Sequence, residues 1–189
     1  MSKKSLNRKK VLWVDLEMTG LDPEQDRILE LATIVTDWEL NEVESLELVL
    51  KQDPIWLQAI FAKSIFWMTF SNTAQHLFLQ NATGIDNLEQ FENDLIVFVQ
   101  STFDIKEPNS DIILAGNTIR CDRQFIDKYL PRFAQYLHYR MLDVSSFKVY
   151  FDGRYKKVYL KQENHRALED IRGSIEELKY FEKFINVKS

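Results

Sequence analysis

Two kinds of hydrophobic pattern follow one another along the chain, and the first is typical of strands. The apolar run 11–14 leads into two acidic residues and then into turn residues at 19–23, which predicts a buried strand with a polar end. Segments 27–36 and 44–50 are rich in β-forming residues and are separated by a short polar stretch. Three consecutive strands with short connections predict an antiparallel meander.

The second pattern has helical spacing. Residues 86–89 have the arrangement of a capping box that starts at Asp86, and the apolar stripe over 88–98 predicts an amphipathic helix. A similar stripe from Leu168 to Ile185 predicts the last helix. Between them we expect a buried strand at 112–115, a helix at 123–130 and a short strand at 141–144. This order predicts an α/β domain, a mixed sheet flanked by helices.

Length and composition favour one domain. The chain has 189 residues, 45% of them hydrophobic, with only 5 Gly and 4 Pro to interrupt it. We expect a single domain at 11–189 after a basic, flexible tail at 1–10. The single Cys121 suits a reducing cytoplasm. The longest apolar run, 95–99, is far shorter than the roughly 18 residues of a membrane helix.

Net charge narrows the choice of partners. Asp and Glu outnumber Lys and Arg by 29 to 24, which gives a formal net charge of −5. Such a surface disfavours a protein that tracks long nucleic acids, because those proteins carry a basic footprint. It does not exclude nucleic acid altogether, since divalent cations held by acidic residues reverse the local field. The charge therefore bears on the length of a nucleic-acid substrate.

Asp15 and Glu17 are the first candidates for chemistry. Because they are two residues apart in a predicted strand, they project from one face while Leu16 points to the other. Neighbouring carboxylates repel each other, and a bound cation offsets both the repulsion and the loss of water. A solvated strand end with two ordinary acidic residues fits the same short motif, so the motif alone leaves both interpretations open.

Two later segments add residues that such a site would need. The strand at 112–115 runs into a Gly-Asn turn and then into a helix that carries Asp122 early on. His165 precedes Asp170 by five residues, which places the histidine in the loop before the last helix, where it can serve as a base. Taken alone, His165 is more typical of a surface or capping residue. Glu169 points about 100° away from Asp170 around a helix and is assigned to solvent.

Six stretches of the chain resemble a known family. Residues 14–23 read Val-Asp-Leu-Glu-Met-Thr-Gly-Leu-Asp-Pro, and they are joined by 26–28, 115–117, 122–123, 138–145 and 165–172. Together these stretches resemble the DEDDh 3′–5′ exonucleases and, among them, the oligoribonuclease family. The resemblance extends over roughly residues 11 to 186.

This resemblance implies a ribonuclease H-like fold, a homodimer and a metal-dependent hydrolase. The substrate would be a short single-stranded RNA, cut from its 3′ end into nucleoside 5′-monophosphates. Four carboxylates would hold two Mg²⁺ or Mn²⁺ ions about 3.5–4 Å apart. The implied catalytic residues are Asp15, Glu17, Asp122 and Asp170, which bind metal, and His165, which accepts a proton.

The resemblance also implies residues that contact the substrate. They are Leu21 and Trp67 at the terminal bases, and His138, Tyr139, Arg140 and Ser145 at the terminal phosphate, some of these from the partner subunit. Arg140 offers a forked donor suited to phosphate. Trp67 lies in the apolar stretch 55–70, where core packing is an equally good interpretation and a dimer interface would explain the same stretch.

Other functions stay open at this point. A DEDDh exonuclease for longer substrates, ribonuclease T-like or proofreading, would share the same catalytic residue types. A non-catalytic interaction domain would use the stretch 55–70 for a partner, although an inactive relative has no reason to keep the acid set. The chain departs from the family pattern at Cys121, where a polar residue is usual, and at 163–164, just before His165. These departures leave the contacts of Cys121 and the path of the loop 151–164 open.

Overall fold

A computed structural model describes residues 9–108, 110–160 and 166–185. Five strands form one mixed sheet: β1 (Val11–Met18), β2 (Ile28–Thr36), β3 (Glu42–Val49), β4 (Ile112–Gly116) and β5 (Leu137–Asp143). Their order in the sheet is β3-β2-β1-β4-β5. β2 pairs antiparallel with β1 and β3, whereas β4 pairs parallel with β1 and β5. The predicted meander and the predicted α/β mixed sheet are both confirmed.

Helices cover both faces of the sheet and one of its ends. They are α1 (Pro54–Lys63), α2 (Ile65–Thr69), α3 (Ser71–Gln80), α4 (Leu88–Phe103), α5 (Arg120–Tyr129), α6 (Pro131–Ala134), α7 (Val144–Tyr155) and α8 (Ala167–Glu182). A 3₁₀ turn, Asn81–Thr83, follows α3. Among the described residues, no helix is both long enough and apolar enough to cross a membrane.

β1 divides its side chains between the two faces of the sheet. Leu12 and Leu16 pack into a core shared with residues of α4, α5 and α6, and Trp13 packs on the opposite face with residues of α7 and α8. Because side chains alternate along a strand, Asp15 and Glu17 lie on the α8 side. The central strand therefore carries its acidic residues toward the last helix.

A third apolar cluster holds α1, α2 and α3 against β2. It includes Leu57, Trp67 and Leu77, which pack on Leu29. Ser64 separates the first two of these helices and caps α2, since its hydroxyl accepts a hydrogen bond from the backbone N–H of Trp67 at 3.4 Å. Most of the apolar stretch 55–70 thus forms the helices α1 and α2, which pack against β2 through Leu29.

The start of α4 differs from its prediction by one residue. Asn87, with an extended backbone, is the N-cap, and its side-chain oxygen accepts from the N–H of Gln90 at 2.8 Å. Asp86 instead forms an ion pair with Lys51 at 2.7 Å. The predicted capping box at Asp86 is therefore wrong, because the tertiary partner of Asp86 draws its carboxylate away from the helix end.

Pairing and packing also move other boundaries. β5 begins at Leu137 rather than at 141, because it pairs with β4 from Ile112–Leu137 to Gly116–Asp143. Val144, placed in the strand by its sequence context, is the first residue of α7. α8 ends at Glu182, so Ile185 lies beyond the helix that its apolar stripe predicted.

Candidate active site

Three carboxylates meet where the polar end of β1 faces the start of α8. Asp15 and Glu17 project from β1, and Asp170 lies in the first turn of α8. One carboxylate oxygen from each lies within 4.8 Å of the others. Hard oxygen donors at this spacing match the ligand preference of Mg²⁺ and Mn²⁺. The residues present therefore fit a divalent cation.

Burial makes this cluster costly without a cation. Desolvation first, and then the charges of neighbouring acids with Asp15 first among them, raise the pKa of Glu17 to about 9. A protein that keeps a buried carboxyl beside two others needs a positive charge or a proton there. Either a proton on Glu17 or a bound cation offsets this cost, and the three clustered carboxylate oxygens are placed to hold a cation.

Asp122 joins the site from the other side of β1. Its Oδ1 accepts a hydrogen bond from the backbone N–H of Leu16, the residue between the two acids of β1, at 3.0 Å. Burial raises the pKa of Asp122 to about 7. Asp122 lies outside the group of three whose oxygens are within 4.8 Å, although its charge contributes to the raised pKa of Glu17. The structure therefore brings all four predicted acids together, with three of them in closest contact.

Hydrogen bonds at the start of α8 hold Asp170 in place. The backbone N–H of Arg166 donates to its Oδ2 at 3.2 Å, and the hydroxyl of Ser174 donates to its carbonyl oxygen at 2.9 Å. The guanidinium of Arg166 lies 3.8 Å from Glu47 on β3. The sheet edge and the helix together fix the third carboxylate. Glu169, as predicted, is exposed.

A cavity of about 400 Å³ opens over the acids. Its lining comes from Asp15, Glu17 and Asp170, from the loop 18–21, and from Ser64 and Phe66. Leu21 is 75% exposed and Phe66 is 45% exposed, so two large apolar side chains stand in solvent beside carboxylates. Exposed apolar side chains around a polar floor are typical of a site that contacts a flat organic group.

Trp67 does not face this cavity. Its side chain is 1% exposed and packs in the cluster of α1, α2 and α3, with its ring 4.9 Å from that of Phe66 in an edge-on arrangement. In this structure the Trp67 ring is therefore part of the core, and its implied contact with a base stays a prediction. Consecutive helical residues point about 100° apart, so burying Trp67 turns Phe66 outward.

The residues predicted to grip a phosphate lie on β5 and at the start of α7. Tyr139 and Arg140 are exposed, and the guanidinium of Arg140 lies 5.0 Å from the Tyr139 ring centre. His138 Nδ1 accepts from the Arg140 N–H at 3.0 Å. The hydroxyl of Ser145 accepts from the Thr118 N–H at 2.9 Å. Among the described residues, the lining of the acid cavity includes none of these four predicted residues.

Glu30 is a site residue that sequence reasoning missed. It lies opposite Glu17 in the register of β1 and β2 and is fully buried. Burial, and then its neighbour Glu47, raises the pKa of Glu30 to about 8. The sequence signal that could have identified Glu30 is an acidic residue within the predicted strand 27–36, which is otherwise rich in apolar residues. The predicted base His165 lies outside the described residues.

Comparison with known proteins decides the family. The RNase_T family model, described as an exonuclease, matches residues 12–178. An oligoribonuclease of Legionella pneumophila is 39% identical, in an alignment that covers 96% of this chain and 95% of that one. This chain belongs to the oligoribonuclease family of exonucleases. Its family relatives include an oligoribonuclease of Vibrio parahaemolyticus, 38% identical over 96% of this chain and 98% of that one. A mitochondrial oligoribonuclease of Bos taurus is 36% identical over 91% of this chain and 71% of that one.

Solved structures confirm the fold of this oligoribonuclease-family chain. Exonuclease I of E. coli, in complex with an oligonucleotide, superposes with a TM-score of 0.62 at 16% identity, over 94% of this chain and 41% of that one. Exonuclease I from Methylocaldum szegediense superposes with a TM-score of 0.58 at 20% identity, over 88% of this chain and 39% of that one. The chain thus spans about two fifths of these larger proteins. The ribonuclease H-like fold is confirmed.

Proposed function

We propose that this enzyme is a 3′–5′ exoribonuclease that degrades short single-stranded RNA, down to dinucleotides, to nucleoside 5′-monophosphates. One observation carries the proposal: the acid cluster forms the floor of a cavity whose exposed walls are Leu21 and Phe66. The cluster fits a metal-assisted attack on a phosphate, and the apolar walls fit the bases beside it. The names of the family relatives support the same substrate class.

The acids would bind two divalent ions, Mg²⁺ or Mn²⁺. Asp15, Glu17 and Asp170 offer the closest oxygens, and Asp122 offers a fourth carboxylate from α5. When bound, such ions activate water and neutralise charge on the scissile phosphate. Glu17 would lose its proton when such an ion binds, because a nearby cation lowers the pKa that burial raises. His165 is the proposed acceptor of the proton of the attacking water.

Leu21 and Phe66 would hold the terminal bases. Leu21 extends from the loop after β1 and Phe66 from α2, and both line the cavity of the acids. An aromatic face contributes about 1–3 kcal/mol per stacked base without sequence preference. Because every base has such a face, the walls select for a nucleic-acid end rather than for a sequence.

The phosphate-gripping residues support a homodimer. Tyr139 is 72% exposed, and the cavity lining drawn from the described residues contains nothing from β5. In a dimer, Tyr139 and Arg140 of one subunit would reach the substrate of the other, where a guanidinium suits a terminal phosphate. We therefore propose a homodimer whose subunits share residues at each site. We also propose a cytoplasmic location and a single domain at 11–189.

Two adjacent acidic residues give the test a matched pair. Asp170→Asn removes a ligand charge from the cluster, whereas Glu169→Gln alters its exposed neighbour. With Mg²⁺ and a labelled RNA dinucleotide, we expect Asp170→Asn to lose about 10³-fold or more in kcat, and Glu169→Gln to keep nearly full activity. Both variants should unfold at temperatures close to that of the parent. Full activity of folded Asp170→Asn would refute the proposed site.

A further inference from the structure

The loop that carries Leu21 is built around the carboxylate of Asp26. The hydroxyl of Thr19 donates to Asp26 Oδ1 at 2.9 Å, and the backbone N–H of Asp22 donates to Asp26 Oδ2 at 2.9 Å. Both oxygens of one carboxylate are therefore used to hold the two sides of Leu21. We call residues 19–26 the wedge loop.

Gly20 shows how closely the wedge loop fits around that carboxylate. A Cβ atom at position 20 would lie 2.5–2.7 Å from the carboxyl atoms of Asp26. These distances are shorter than any ordinary contact, so a side chain at position 20 would force the carboxylate out. The loop is thus closed on Asp26, and the position of Leu21 depends on where Asp26 lies.

Tyr129 fixes Asp26 from outside the loop. Its hydroxyl donates to the carbonyl oxygen of Asp26 at 2.6 Å and lies 3.1 Å from that of Pro23. The Tyr129 ring stacks on the fully buried Phe125 at a centroid distance of 6.1 Å. A hydroxyl anchored by a core ring therefore holds the far end of the wedge loop.

The helix behind Tyr129 also holds the acid site. α5 carries Asp122, which accepts from the N–H of Leu16, and Tyr129 follows seven residues later. Seven residues are about two turns, or ~10 Å, and return to nearly the same face of the helix. One rigid helix thus sets both the acid-bearing strand and the loop with Leu21.

We propose that Tyr129 is a positioning residue that places Leu21 against the substrate. This inference rests on the proposed function, because it requires Leu21 to contact the end of an oligoribonucleotide. Without the hydroxyl, the wedge loop loses its hydrogen bonds to Tyr129 and keeps the exposed ion pair between Glu24 and Lys128 of α5, while the acids keep their own contacts. Leu21 then contributes less to holding the substrate, whereas the chemical step is unaffected.

Tyr129→Phe tests the inference, since it removes the hydroxyl and keeps the ring. On a labelled RNA dinucleotide with Mg²⁺, we expect KM to rise about 3- to 10-fold with kcat unchanged, the pattern of lost substrate binding. A merely structural role would reduce the folded fraction, which lowers kcat and leaves KM alone. Tyr136→Phe is the matched control, because its hydroxyl accepts from Gln100 Nε2 at 2.8 Å away from the wedge loop. We expect that variant to keep the parental KM.

A double-mutant cycle shows whether Tyr129 acts through Leu21. If it does, Tyr129→Phe has little further effect on KM in a Leu21→Ala background. Fully additive effects, or an unchanged KM in Tyr129→Phe alone, would overturn the inference while leaving the proposed function in place. A parent enzyme that does not cleave the dinucleotide would overturn the proposed function, and the inference would fall with it.

Discussion

At the scale of single residues, Glu17 shows how a site is marked by its electrostatics. Its carboxyl is buried beside two others, and that burial raises its pKa to about 9. The sequence named Glu17 because alternation in a strand places it beside Asp15. No pattern in the sequence indicated that Phe66 rather than Trp67 would line the cavity over the acids, since that choice depends on which ring the helices α1–α3 bury.

The raised pKa of Glu17 predicts how stability depends on pH without metal. Its pKa is about 9 in the folded protein and near 4.5 when solvated, because burial disfavours the charge. The folded state therefore holds an extra proton between these values, and stability falls as pH rises toward 9. We expect the unfolding temperature in EDTA to fall between pH 6 and 9, and to fall less in Glu17→Gln. Mg²⁺ or Mn²⁺ should raise it more at high pH. If the unfolding temperatures of the parent and of Glu17→Gln depended on pH in the same way, the raised pKa of Glu17 would be contradicted.

Phe66 and Trp67 predict opposite results from the same substitution. Trp67→Ala empties a core position and should cost about 3–5 kcal/mol of unfolding free energy. Phe66→Ala removes a half-exposed ring and should leave stability nearly unchanged, while KM for a dinucleotide rises about 10-fold or more through lost stacking. Urea unfolding and steady-state kinetics on both variants distinguish them. A larger rise in KM for a folded Trp67 variant would reverse the assignment.

At the scale of elements, the spacing of apolar residues predicted the helices that have one apolar face. α4 and α8 each bury one stripe, with Leu95 and Ile175 among the buried residues, and both were predicted. α1 and α2 lie in a stretch that is apolar on several sides, and α7 buries only Val144 and Phe151, so none of these three helices has a clear apolar stripe. Their helical form depends on caps and tertiary packing that spacing does not record.

The cap of α4 is a direct test of the corrected helix start. Asn87→Ala removes the acceptor for the Gln90 N–H and should destabilise the protein by about 1 kcal/mol. Asp86→Ala removes an exposed ion pair with Lys51 and should cost less. Chemical denaturation of the two variants gives the comparison. A greater loss in Asp86→Ala would restore the capping box that the sequence predicted.

At the scale of the whole molecule, the fold joins residues that are far apart in sequence. Asp15 and Asp170 meet because β1 lies at the centre of the sheet and α8 packs across it. The sequence motifs identified both residues as candidates but did not predict how close their carboxylates lie in the folded protein. The proposed assembly of two subunits would be the next level, since Tyr139 and Arg140 are not among the described residues that line the cavity over the acids.

The proposed dimer predicts complementation between defective subunits. Arg140→Ala and Asp170→Asn should each be weak alone, but their co-expression should give mixed dimers with one site that has intact acids and a partner's Arg140. We expect recovered dinucleotide cleavage in the mixed species and a dimeric mass by sedimentation. A monomer, or a dimer without recovery, would refute the shared site.

The central claim is that this enzyme removes nucleotides from the 3′ ends of short RNA. The most direct measurement is the rate of cleavage, with Mg²⁺, of RNA substrates from a dinucleotide to a 20-mer, with the products identified. We predict nucleoside 5′-monophosphates and the highest kcat/KM on dinucleotides and other few-mers, because the chain has a net charge of −5 and the cavity over its acids is only about 400 Å³. Faster cleavage of the 20-mer, or products that carry a 3′-phosphate, would contradict it.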